Sequence, residues 1–240
     1  MSGQQDLRRE MASVVPPRSA AMMIDRPPVV IDINLAWHEQ VYRDAAGSLS
    51  RVPWACGRPN PALVSWLNAE APGLIRPGSR VVVVGCGLAD DVCELSDRGY
   101  DVHGFDCAPT AISWARERFP SLSTNLMSAD LFNLPARLRH RFDLVVEIDT
   151  LQSIHPSLRE PAVQSLASLA TPHGVVLTIC RGRDESDHLE TVKDPPWPFT
   201  MSELSGLMES AGLRPLRAPD DFMDDEPTPV RRLRAAFVRA

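Results

Sequence analysis

No run in the 240-residue sequence approaches the roughly 20 consecutive apolar residues that cross a bilayer, so a membrane-spanning helix is not expected. Lysine is nearly missing: Lys193 is the only one. Basic groups number 25 against 31 acidic ones, and the formal net charge of −6 makes the chain a poor partner for nucleic acid, whose phosphates reward clustered Lys and Arg. The five cysteines (Cys56, Cys86, Cys93, Cys107, Cys180) are odd in number and form no C-x-x-C pair. That argues against a disulfide framework or structural zinc and for a reduced, cytoplasmic setting. No His/Asp ligand set is apparent, so no metal is expected. Behind Arg8, Arg9 and Glu10 there is no apolar stretch of the kind a secretory signal needs. Internal repeats and low-complexity tracts are also lacking.

Apolar residues make up 44% of the chain, enough for a sizeable core, and the 22 prolines are nearly twice the average usage of about 5%. Residues 1–30, with Pro16-Pro17 and Pro27-Pro28 among charges, read as a flexible tail. Residues 31–76 read as an N-terminal cap. Ile33, Leu35, Trp37 and Val41 suggest a short helix within Asp32–Ala46, and Pro59 and Pro61 precede a second with Leu63, Val64, Trp66 and Leu67 on one face.

From residue 77 to 240 strands and helices alternate. Val81–Val84 is a β-branched run closed by Gly85, as expected of a strand buried on both faces of a parallel sheet. The pattern then predicts a helix over Asp90–Arg98, a strand over Asp101–Asp106, a helix over Pro109–Arg118 and a weaker strand at 123–129. A strand over Phe142–Ile148, a helix over Pro156–Leu169 and a strand over Gly174–Cys180 follow, then a helix near Met201–Ala211 and strand-like runs at Leu213–Arg217 and Leu233–Val238. Such alternation implies an α/β domain with a parallel sheet wound on both faces.

The segment RVVVVGCGLADDVCELSDRGYDVHGFDCAP carries the chemistry. A strand ends in Gly85-Cys86-Gly87, and a second ends in Asp106, 21 residues after Gly85. An acid at that distance is placed to accept hydrogen bonds from the ribose of a nucleoside-containing cofactor. The third small residue of a dinucleotide fingerprint is replaced by Asp90, which would repel a pyrophosphate at a helix N-terminus. The demand is for a cofactor with a cationic end, and S-adenosylmethionine meets it. Two rivals stay open: an NAD(P)-dependent oxidoreductase, disfavoured by Asp90 and by the missing Tyr-x-x-x-Lys pair, and a non-catalytic adenosyl-cofactor-binding partner or sensor.

VVVVGCGLADD and GFDCAPTAI resemble the first two motifs of class I S-adenosylmethionine-dependent methyltransferases. SADLFNLP, FDLVVEIDTLQSIHP and LASLATPHGVVLTICRGR extend the resemblance over roughly Arg80–Arg183. It implies the Rossmann-like class I fold, a mostly parallel seven-stranded sheet under an N-terminal helical cap. It also implies cofactor contacts at Gly85, Cys86, Gly87, Asp90, Asp106, Cys107 and Glu147, with Asp130 facing the adenine and Leu131 contributing main chain. Ala89 departs from the family, which more often has glycine there. Upstream, VPWACGRPNPALVSWL resembles the PW-x-x-GRP-x-P segment of the thiopurine, thiol and halide methyltransferase subgroup. In that light Trp54 is expected to pack on the sulfonium or methionyl portion of the cofactor and Arg58 to pair with a carboxylate.

Glu147, Asp149 and His155 follow the fourth strand, at the sheet edge where ligands bind, and are the candidate catalytic groups. Each has a plainer alternative, as strand-end cap, solvated acid or helix cap. Trp37 and His38 in the cap and Trp197 in the DPPWPF loop are candidate acceptor contacts. The expected activity is methyl transfer to a small molecule by in-line displacement, with thiol sulfur first and oxygen, nitrogen or carbon after it. Neither nucleic acid nor membrane is expected as a partner, and the chain is expected to be a monomer or homodimer.

Overall fold

The computed structural model describes residues 28–189 and 192–239. Residues 1–27 of the expected tail lie outside the described residues. The first helix, α1 (Pro28–Ala45), begins four residues earlier than the apolar pattern predicts, in keeping with proline's fixed φ at a first helical turn. A 3-10 turn and a connector lead to α2 (Pro61–Ala69), where the Asn60 side chain accepts from the Ala62 N–H at 2.9 Å.

Eight strands then form one sheet. They are β1 (Arg80–Val84), β2 (Asp101–Asp106), β3 (Leu126–Ser128), β4 (Phe142–Ile148), β5 (Ala170–Arg181), β6 (Leu213–Pro215), β7 (Asp220–Met223) and β8 (Arg231–Arg239). Their order is β3-β2-β1-β4-β5-β8-β6, with β7 also paired to β8. The first five are parallel, and β8 runs antiparallel to β5, β6 and β7. Four more helices intervene: α3 (Asp90–Asp97), α4 (Pro109–Arg118), α5 (Arg159–Leu169) and α6 (Met201–Ser210).

The sheet has one strand more than the sequence implies. β7 is the short acidic run DDFM, which has no continuous apolar face. Charge across the ladder holds it: Arg231 bonds Asp221 at 2.7 Å and Arg234 bonds Asp220 at 2.7 Å. Two further boundaries shift. The expected helix at Pro156 opens as a 3-10 turn (Pro156–Leu158) before α5, and β5 starts at Ala170 through a register irregularity opposite β4.

The two sheet faces carry separate cores. Phe105, Phe142, Leu166 and Phe237 anchor one, beneath α5 and α6; Trp66, Leu95, Val83 and Leu144 anchor the other, beneath α2, α3 and α4. A third cluster of Tyr42, Ala45, Val52, Leu88, Ala108 and Ala111 docks the cap over the loops that leave β1 and β2. The cap is thereby fixed above the carboxyl ends of the parallel strands, where open α/β sheets bind ligands. Among the described residues no helix is long and apolar enough to cross a membrane.

Candidate active site

β1 runs into a turn that ordinary residues resist. Gly85 has φ +63°, and a Cβ there would lie 2.1 Å from the Thr150 Oγ1, which itself donates to the Val84 carbonyl at 3.1 Å. The backbone can therefore take this path only with glycine at 85. Ala89, where the family more often has glycine, closes the turn at φ +66° as the N-cap of α3, with its methyl fully buried.

Asp106, at the end of β2, locks the same turn from the other side. One carboxylate oxygen accepts from the Gly87 N–H at 2.9 Å and the other from the Ala108 N–H at 2.8 Å. The group is buried, which pushes its pKa up, while these backbone bonds pull it back. Asp130 is held similarly: its side chain accepts from the Phe132 N–H at 2.8 Å and caps a 3-10 turn that contains the buried Leu131.

These groups line one cavity of about 1180 Å³ between the sheet edge and the cap. Gly85, Cys86, Gly87, Asp90, Asp106 and Cys107 stand on its β1–β2 side, Asp130 and Leu131 beside them, and Trp37, His38, Trp54 and Arg58 on its cap side. Burial pushes the Cys86 and Cys107 thiols up, so neither is an activated nucleophile.

Asp90 differs from the sequence expectation in one respect. Its carboxylate is taken in a two-point bond by Arg118 (2.8 and 2.6 Å), so its charge is already answered. Its neighbour Asp91 lines the cavity too and is pushed up to about 6 by burial. Asp91 accepts from the Asn60 N–H at 2.7 Å, tying the GRPNP segment of the cap to α3.

On the cap side the aromatic rings pack together. The Trp54 Nε1–H donates to the Tyr42 hydroxyl at 2.8 Å, and the Trp37 and His38 rings lie 5.5 and 5.7 Å from that of Trp54. Trp37 and Trp54 are nonetheless 42% and 38% exposed, facing open space rather than core. Arg58 has its carboxylate partner within the chain: Glu226, in the loop after β7, at 2.5 Å. The β7–β8 hairpin thus forms the wall opposite the cap, and Phe222, Asp224 and Arg232 also line the cavity.

The three candidate catalytic groups fall in different places. Asp149 lines the cavity, in a left-handed conformation (φ +59°), with Arg232 donating to it at 2.8 Å. Glu147 lies outside the cavity lining and is wholly buried. It accepts from the Leu151 N–H at 2.8 Å and from the Thr178 hydroxyl, and burial pushes it up to about 7. His155 is also outside the lining; its Nδ1 meets the Ser157 hydroxyl at 2.8 Å and accepts from the Ser157 N–H, capping the turn before α5. Trp197, expected against the acceptor, is instead buried as an anchor. Its Nε1–H donates to the Val192 carbonyl at 2.9 Å, leaving Pro195 and Pro196 to face the cavity.

Sequence reasoning missed Tyr42, Asp91, Gln152 and Arg181 as cavity residues. Asp91 had a visible signal, the doubled acid after the glycine turn. Tyr42 had a weaker one, its place one helical turn after His38.

A family model described as a methyltransferase domain matches residues 81–174. Over 176 residues the chain is 28% identical to a 2-heptyl-1-hydroxyquinolin-4(1H)-one methyltransferase of Mycobacteroides abscessus, spanning 71% of this chain and 73% of that one. It is 25% identical over 166 residues to thiocyanate methyltransferase 1 of Arabidopsis thaliana, covering 68% of each. Among solved structures, a 1,6-didemethyltoxoflavin-N1-methyltransferase from Burkholderia thailandensis shares the fold, with TM-score 0.67 at 18% identity over 95% of this chain and 94% of that one. With the glycine turn, the acid closing β2 and the strand order, these matches support a class I S-adenosylmethionine-dependent methyltransferase.

Proposed function

We propose that the protein methylates a small molecule on an atom that is already anionic near neutral pH, thiol sulfur first and an acidic hydroxyl second. The cavity residues fit the cofactor. The glycine turn brings the main chain of Gly85, Cys86 and Gly87 to the cavity wall, and a buried acid stands at the end of β2. On this reading Asp106 accepts from the ribose hydroxyls, Asp130 and the Leu131 main chain meet the adenine, and Trp54 packs beside the sulfonium, an arrangement worth about 0.5–2 kcal/mol. When bound, S-adenosylmethionine supplies a methyl group already activated for in-line displacement.

The observation that supports an anionic acceptor is that several acids around the cavity are engaged by arginines, while Asp91, which burial pushes up to about 6, is held by the Asn60 N–H instead. Asp149 and Asp224 are both bonded to Arg232, Glu226 to Arg58, and Asp90 to Arg118. Each guanidinium occupies carboxylate oxygens that an acceptor's proton would otherwise reach. The chain's contribution is then orientation of the acceptor rather than proton abstraction. Relatives named for thiocyanate and for a 1-hydroxyquinolone are consistent with acceptors of this kind.

A second reading rests on His38, which lines the cavity against Trp37 and Trp54. There it is placed to take the proton of a less acidic hydroxyl. Labelled S-adenosylmethionine with a panel of thiols, 1-hydroxyquinolones, phenols and amines separates the two. Transfer to thiols or 1-hydroxyquinolones that survives His38→Gln supports the first reading. Transfer only to phenols, abolished by that change, supports the second, and binding without transfer to any acceptor refutes both.

A further inference from the structure

Four arginines line the cavity, and three of them already hold carboxylates. Arg58 bonds Glu226 at 2.5 Å, Arg232 bonds Asp149 at 2.8 Å, and Arg234 bonds Asp220 at 2.7 Å. Arg181, the last residue of β5, is the exception. Its backbone is clasped at both ends: the N–H donates to the Gln152 Oε1 at 2.6 Å and the carbonyl accepts from the Phe199 N–H at 2.9 Å. Its side chain has no hydrogen-bond or ion-pair partner among the described residues, and its Nε is buried without one. A guanidinium carries five donors in a fixed fork, and an unpaired buried donor is costly.

Among the described residues only Asp149 answers that charge, at a distance and without a hydrogen bond. Arg181 stands opposite Arg232 in the β5–β8 ladder, and the nearby Asp149 is the acid Arg232 holds. Ile154, Leu158, Pro195 and Pro196 also line the cavity and supply apolar wall, where water is scarce and ionic hydrogen bonds are strengthened. The cofactor-side acids Asp106, at the end of β2, and Asp130, in the turn after β3, lie across β1 and β4 from β5.

We infer that Arg181 is an acceptor-binding residue, whose guanidinium takes an anionic oxygen or sulfur of a small molecule with an otherwise apolar body. The inference rests on the methyl-transfer reading and names the substrate class for it. The anion is either the reacting atom itself or a carboxylate that orients it.

The test uses the full chain loaded with S-adenosylhomocysteine, titrated by calorimetry with benzoate, thiophenolate and the neutral benzamide. At least one anion is expected to bind tenfold or more tightly than benzamide, the scale of one charge-assisted hydrogen bond. Preference for benzoate alone marks a carboxylate; preference for thiophenolate marks the reacting atom. Arg181→Met is expected to abolish the preference and Arg181→Lys to restore part of it, with S-adenosylhomocysteine affinity unchanged in both. Equal affinity for all three probes, no binding by any at millimolar concentration, or a preference that survives Arg181→Met overturns the inference. Turnover on labelled S-adenosylmethionine is read separately. Transfer without anion preference retires the role of Arg181 alone, and anion preference without transfer to any acceptor retires the methyl-transfer reading alone.

Discussion

Replacing Glu147 by glutamine should make the protein more stable at neutral pH while leaving its activity in place. Glu147 sits in the sheet with no exposed surface, bonded to the Leu151 N–H and the Thr178 hydroxyl. Glutamine is nearly isosteric and keeps both contacts, accepting from the amide with its oxygen and donating to the hydroxyl with its NH₂. What it removes is the ionisation. A carboxyl pushed from 4.5 to about 7 carries an ionisation cost in the folded state of roughly 3 kcal/mol, of which about 1–3 kcal/mol should be recovered once glutamine's weaker hydrogen bonds are set against it.

The sign follows from proton binding. Between about pH 4.5 and 7 the folded chain holds a proton that the unfolded chain has lost, so this group's contribution to stability falls as pH rises through that window. The advantage of Glu147→Gln should be near zero at pH 4.5 and complete above pH 7, read as a pH series of urea-unfolding free energies. A flat difference across that series would refute the burial argument. A Glu147→Gln variant that folds normally but has lost turnover would return Glu147 to the catalytic groups.

Gly85→Ala should cost about 2 kcal/mol or more, through left-handed strain and collision with Thr150, lowering Tm by roughly 4–8 °C; adding Thr150→Ala should recover part of the loss, and a Tm equal to wild type would show the turn to be differently built. Trp54→Ala should lower Tm by only a few degrees, because the ring is 38% exposed, yet reduce kcat/KM at least tenfold. A large Tm loss with normal kinetics would make Trp54 a packing residue.

Much of the fold is legible because its signals are local. Val81–Val84 declares a strand buried on both faces, Pro109 opens a helix, and the spacing from Gly85 to Asp106 spans one turn, one helix and the strand after it. Strand β7 is not legible, since DDFM becomes a strand only opposite the arginines of β8, whose own apolar run Leu233–Val238 is visible. The site was readable as a place, less so as directions. Glu147, within β4, turns to Thr178, while Asp149, two residues on and outside the regular strand, takes a left-handed conformation and reaches the cavity. Nor could spacing reveal that Arg118 answers Asp90 from 28 residues away, or that Asn60 and Asp91 meet across 31. The first pairing exists only once α3 and α4 stand over the same sheet, the second only once the cap is docked.

We propose that the glycine turn and Asp106 form the seat of an adenosyl cofactor. Calorimetric titration of the wild type and Asp106→Ala with S-adenosylhomocysteine and with NAD(P) tests it most directly. One-to-one binding of S-adenosylhomocysteine and none of NAD(P) is expected, with Asp106→Ala weakening binding by about 1–3 kcal/mol through loss of charge-assisted bonds to the ribose and release of the Gly87 and Ala108 amides. NAD(P) binding in place of S-adenosylhomocysteine, or an affinity indifferent to Asp106, would contradict it.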